Sequence, residues 1–129
     1  MVQLEQFIEQ IRVVYAAIAK KIEELLTLLN EAELDENSRQ LAARINAFLN
    51  NLRRSVGAAA KSSSSLPEPK RAQFLNTIRQ ELQEIKQLEA FIALAKKRPT
   101  PEVIRRIHEL YQEVSATIEK ERRIVGKGI

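Results

Sequence analysis

At 129 residues, 44% of them apolar and 29% charged, the chain is long enough to bury one hydrophobic core and too apolar to be a disordered segment. It has no cysteine, which excludes disulfides, zinc–thiolate sites and cysteine nucleophiles. Three glycines, four prolines and 5% aromatics favour a few long elements over many short strands, and the net charge of +4 leaves room for an acidic partner.

Apolar residues recur at helical spacing in four blocks. The first runs Leu4, Ile8, Ile11, Tyr15, Ile18, Ile22, Leu25 and Leu29, alternating steps of four and three in an unbroken a/d seam. Phe7, Val13, Val14, Leu26 and Leu28 widen its apolar arc beyond what a bundle seam needs. A helix apolar over most of its circumference is covered on two sides, so these five residues are the expected assembly interface. The longest apolar run, Val13 to Ala19, is bounded by Arg12 and Lys20–Lys21. It falls far short of the ~20 residues that span a bilayer, and no signal-peptide pattern precedes it. A soluble protein is expected.

The second block is Leu41, Ile45, Phe48, Leu52 and Val56, with Asp35 and Asn37 as N-cap candidates. It leads into Gly57, three alanines, Lys61 and four serines, which reads either as a fraying helix end with a flexible linker or as a smooth surface for close packing. The third block is Leu75, Ile78, Leu82, Ile85, Leu88, Ile92 and Ala95, where Ser65 and Glu68 form an expected capping box and Pro67 falls in the first turn. The fourth is Val103, Ile107, Leu110, Val114, Ile118, then Ile124 or Val125, opened by the Thr100-Pro101-Glu102 start signal. The spacing predicts helices over 2–33, 36–60, 67–97 and 101–125. Short connections make neighbours antiparallel, so residues 1–129 form one all-α domain, an antiparallel up-down-up-down four-helix bundle with a long N-terminal helix.

Charge is spread unevenly: residues 1–33 are net −3, residues 34–66 and 67–98 are each net +3, and residues 99–129 are net +1. In an antiparallel bundle the end of helix two, the start of helix three and the end of helix four share a pole. That pole gathers Arg53, Arg54, Lys61, Ser62, Ser63, Ser64, Ser65, Lys70, Arg71, Arg122, Arg123 and Lys127. Arginine and lysine beside hydroxyls and backbone N–H groups suit phosphate contact. No aromatics are interleaved, so base stacking is not indicated, and no base-reading helix pattern is present. Two other readings stay open: cations at helix C-termini that offset the macrodipole and aid solubility, or a surface for an acidic protein or lipid.

The residues for catalysis are not assembled in the sequence. The single histidine, His108, follows core Ile107 and reads as half-buried or solvent-facing. No Glu-x-x-His pair exists, and the pairs Glu81/Glu84 and Glu23/Glu24 read as solvated edges. Gly57, Gly126 and Gly128 match neither phosphate-loop pattern, and the serines lack a base. A non-enzyme without cofactor or metal is expected.

Size, helical pattern, basic balance and lack of cysteine together resemble the coat proteins of filamentous viruses of hyperthermophilic archaea. Few Met and His with many Lys, Arg, Glu and Ile lean the same way. The resemblance implies a virion protein in many copies, self-associating and paired with a related second subunit, that packages double-stranded DNA through its phosphates without sequence preference. It carries the DNA contact onto Arg53, Arg54, Lys61, Ser62–Ser65, Lys70 and Arg71, and onto the outer face of helix one. That helix departs from the pattern, since Glu5, Glu9, Glu23 and Glu24 make it acidic. The competing class is a cytoplasmic adaptor or ribonucleoprotein subunit that lends an apolar groove to a partner helix.

Overall fold

The computed structural model describes residues 2–31 and 35–126. Every regular element among them is helical: α1 (Val2–Glu31), α2 (Glu36–Lys61), a 3₁₀ turn (Ser62–Ser65), α3 (Lys70–Ala95) and α4 (Pro101–Gly126). The expected ends of helix one at residues 32 and 33 lie outside the described residues.

Side-chain chemistry sets the helix ends. Asp35 has extended backbone, and its Oδ1 accepts the Ser38 N–H at 2.8 Å, so Asp35 is the cap of α2 and Asn37 lies inside the first turn. That N–H, helped by the Ser38 hydroxyl, holds the Asp35 carboxyl below its ordinary range. Thr100 Oγ1 accepts the Val103 N–H at 3.2 Å and starts α4, as the Thr-Pro-Glu signal predicts. The expected capping box at Ser65 does not form. Leu66 and Glu68 each precede a proline, which disfavours the α conformation there, so α3 starts only at Lys70. Ser65 Oγ instead donates to the Ser62 carbonyl at 3.2 Å.

Nor is the serine stretch a loose linker. α2 continues through the alanines to Lys61, and the hydroxyls of Ser62 and Ser63 donate back to the Ala58 and Ala60 carbonyls at 3.2 and 2.6 Å. These bonds satisfy carbonyls that a helix end leaves open. Buried Leu66 then pins the turn to the core.

The four helices close a ring: α1 packs on α2 and α4, and α3 packs on α2 and α4. Contact partners run in opposite senses along α4 and each of its two neighbours. Glu9 meets Arg122 while Glu23 meets Tyr111 on α1 and α4, and Lys70 lies beside Arg123 while Gln87 meets Arg106 on α3 and α4. The whole expected seam of α1 is buried. On α2 the buried apolar set is Ala42, Ile45, Leu49, Leu52, Val56 and Ala59. Phe48, expected in the core, is 40% exposed and stands beneath the Lys21 ammonium, 5.9 Å from its ring centre.

The α3 seam is shifted from the expected one in its first half: Phe74, Ile78, Glu81, Ile85, Leu88, Ile92 and Ala95, a strict alternation of four and three. Leu75 and Leu82 are only half-buried at its edge. On α4 the same alternation runs Val103, Ile107, Leu110, Val114, Thr117 and Glu121, and Val125 rather than Ile124 completes the burial. Two glutamates therefore occupy core positions on facing helices.

Candidate nucleic-acid interface

The start of α3 and the end of α4 enclose an open groove of about 660 Å³ lined by Lys70, Gln73, Asn76, Thr77, Lys120, Arg123 and Ile124. Its wall has three cations and no carboxylate. Among the described residues none of Lys70, Lys120 and Arg123 has an ion-pair partner; Arg123 Nε reaches only the Glu119 carbonyl, at 3.4 Å. Gln73 and Asn76 add amide donors to the same wall.

Offsetting of helix dipoles accounts for part of this charge and not for the rest. Lys61 and Arg123 fall in the last turns of α2 and α4, where cations are favoured. Lys70 and Arg71 open α3, the positive end of its dipole, with no acid in the first turn. An unpaired cation there, as Lys70 is, costs about 0.3–1 kcal/mol of stability at an exposed site, which a bound anion would relieve.

The expected site residues separate in the structure. Lys70 and Arg123 come together in the groove, joined by Lys120, a residue outside the expected set. Arg71 stands at the mouth of α3 but pairs with Glu68 at 2.8 Å. Arg122 faces the other side of α4, pairing with Glu9 at 3.7 Å and Glu119 at 3.5 Å. Arg53 lies further up α2, in an ion pair with Nε 2.9 Å from Glu89 Oε1 on α3, and its Nη2 donates to Asn50 Oδ1. Arg54 and Lys61 are exposed on α2. Of the serines, Ser63 is buried and Ser62, Ser63 and Ser65 spend their hydroxyl protons on backbone carbonyls, which leaves Ser64 facing water without such a bond. Lys127 lies outside the described residues.

The acids of α1 sit across α4 from the basic groove. A second cleft, about 350 Å³, is lined by Glu5, Gln6, Ile8, Glu9, Arg122, Val125 and Gly126. Glu9, exposed at the surface, is held below its usual pKa by hydrogen bonding to Arg12. α4 thus separates a wall of unpaired cations from one where glutamates and arginines pair.

Of the expected assembly residues, Val13 is 57% exposed and Val14 41%, while Phe7 and Leu28 are half-buried. Leu26 is a core residue at 8% exposure, because the α1–α4 contact reaches round to it. Phe48 of α2 adds to the exposed apolar surface beside Lys21.

The pair Glu81/Glu84 is not a solvated edge. Glu81 of α3 and Glu121 of α4 are both 0% exposed, and none of their four carboxyl oxygens has a hydrogen-bond donor. Burial pushes both pKa values well above the ordinary carboxylate range; interaction between the two carboxyls raises Glu121 further and draws Glu81 part of the way back, and nearby Glu84 raises both. Glu84 accepts the Thr117 hydroxyl at 2.7 Å and the Gln80 amide at 3.1 Å. Tyr15 reaches across from α1 to donate to the Tyr111 carbonyl at 2.5 Å, and burial raises its phenol pKa. His108 is exposed and stacks on Tyr111 with ring centres 5.3 Å apart. Among the described residues no group of three or more histidine, cysteine or acidic side chains converges on a point where a metal ion would sit.

No protein-family model, curated protein or solved structure matches the chain. No helix among the described residues is long and apolar enough to cross a membrane.

Proposed function

We propose that the chain is a structural assembly protein that binds rather than catalyses. In this reading it is an up-down-up-down four-helix bundle with a long first helix, and many copies line double-stranded DNA, gripping its phosphates in the α3–α4 groove without reading bases. A virion coat protein is the form of assembly it fits best. The observation that carries the reading is the groove itself, with Lys70, Lys120 and Arg123 beside two amides and no acid in the wall. Two of its features suit a phosphate: cations with nothing to neutralise them, and the positive end of α3 pointing the same way. The groove rather than the α1 face meets the DNA, because Glu5 and Glu9 line the cleft on the other side of α4.

Copies then associate through the apolar surface of α1 and α2 around Val13, Val14 and Phe48, which is turned away from the α3–α4 groove by the ring order of the helices. The same surface supports a second reading, an adaptor that docks a partner helix there in the cytoplasm, with the basic groove incidental.

The test is K70Q/K120Q/R123Q in a duplex-binding assay. The variant keeps its helical circular dichroism and loses DNA retention at low salt. Retention equal to the parent's sinks the groove assignment.

A further inference from the structure

The Glu81–Glu121 pair does nothing in the binding scheme, yet it stands in the most expensive place for an acid. Each carboxyl occupies a core position on its helix, fully buried, in the seam between α3 and α4. As two carboxylates they present four acceptor oxygens and no donor. The buried polar residues among those described are Ser38, Ser63, Thr77, Glu81, Thr117 and Glu121, so no lysine or arginine is buried with them. Two uncompensated negative charges in a core are far costlier than a shared proton.

The surroundings offer no alternative counter-charge. On α3 the charge felt by both carboxyls is Glu84, itself acidic; from α1 comes Tyr15, whose phenol proton is already donated to the Tyr111 carbonyl; on α4 the flanking Lys120 and Arg122 are exposed to solvent. The buried residues of α2 carry no ionisable group at all. Burial and the Glu84 charge thus favour the neutral form of the pair, and within it a hydrogen bond from Glu121 pulls Glu81 back toward the charged form, so the two share a proton unequally.

We propose that Glu81 and Glu121 form a proton latch between α3 and α4: the bundle closes around a pair that holds at least one proton, and the pair gives that proton to solvent only when this seam opens. The latch sits next to the groove, since Thr77 precedes Glu81 by one helical turn and Lys120 adjoins Glu121. It stands whether or not the groove binds DNA.

The folded pair keeps protons to higher pH than the unfolded chain does, so between the ordinary carboxylate range and the raised folded values the folded state binds more protons. Stability from the latch is complete in acid and declines as pH rises through neutral into the alkaline range.

Two measurements test it on the whole chain. The first is infrared spectroscopy of the folded protein at neutral pH, where a protonated-carboxyl stretch is expected and is lost in E81Q/E121Q. The second is thermal melting across pH. The midpoint of E81Q/E121Q rises relative to the parent by several degrees as pH increases, because its amides replace the shared proton with hydrogen bonds that do not titrate. A parent with no protonated-carboxyl band at neutral pH overturns the latch, as does a midpoint difference that stays constant from acid to alkali. Should E81Q/E121Q fail to fold, the parent's infrared band and its disappearance on alkaline titration decide alone.

Discussion

Arg53 Nε on α2 lies 2.9 Å from Glu89 Oε1 on α3, and the carboxyl it meets is the more buried partner, with 20% of its side chain exposed against 37% for the arginine. Burial raises the Glu89 pKa and Arg53 opposes it, so the arginine acts as the counter-charge that lets an acid sit in the α2–α3 seam. A residue expected at the nucleic-acid site is thereby committed to the fold.

Arg53→Gln should then cost about 0.2–1 kcal/mol of stability, the range for a partly solvated pair, and leave duplex binding unchanged. Denaturant melts and a binding isotherm on the same preparation separate the two effects. A stable variant with lost DNA affinity would return Arg53 to the binding site.

Leu26 and Val13 should behave oppositely, because α1 buries one and presents the other to solvent. Leu26→Glu places a charge in the core and should unfold or grossly destabilise the chain, as burying an unpaired charge does. Val13→Glu with Val14→Glu should stay folded and shift sedimentation toward the monomer. A folded, monomeric Leu26→Glu protein would mean that this part of the α1–α4 contact is an interface between copies.

Gly57 lies inside α2 with ordinary negative φ, and a Cβ added there meets nothing within 4 Å. Gly57→Ala should stabilise the chain by about 0.4–1 kcal/mol, through lower entropy of the unfolded state and better helix propensity. A lower melting midpoint would show that the alanine stretch needs the glycine for packing on another molecule.

How far the sequence could be read depended on how the apolar rhythm was traced. On α1 the seam is unbroken and apolar throughout, so every expected position is buried. On α3 the strict alternation from Phe74 passes through Glu81, whereas a reader following only apolar residues steps aside to Leu82. The signal was present: keeping the four-three rhythm fixed places Glu81, Thr117 and Glu121 on the seam and exposes the buried pair. Phe48 falls on a competing rhythm, since Leu41, Ile45, Phe48 and Leu52 also step four, three, four; the buried phase runs through Ala42, Ile45, Leu49, Leu52, Val56 and Ala59, whose small alanines at either end make it the fainter apolar signal. Capping at Asp35 and Thr100 was legible because it is local, while that at Ser65 was not, because Pro67 and Pro69 together delay the helix. The groove was half legible. Counting charges at one pole found Lys70 and Arg123, but which face of α4 each cation occupies depends on packing, and that same packing brings in Lys120 and turns Arg122 toward Glu9.

The most direct test of the central claim is light scattering of the protein with a long mixed-sequence DNA duplex, titrated from low to high salt. The account predicts large particles that require DNA and dissolve as salt rises, with binding falling by roughly 0.9 in log K per log unit of salt for each phosphate neutralised. A small species of the same size with and without DNA, at every salt concentration, would contradict it and leave the α1–α2 apolar surface as the place where this protein does its work.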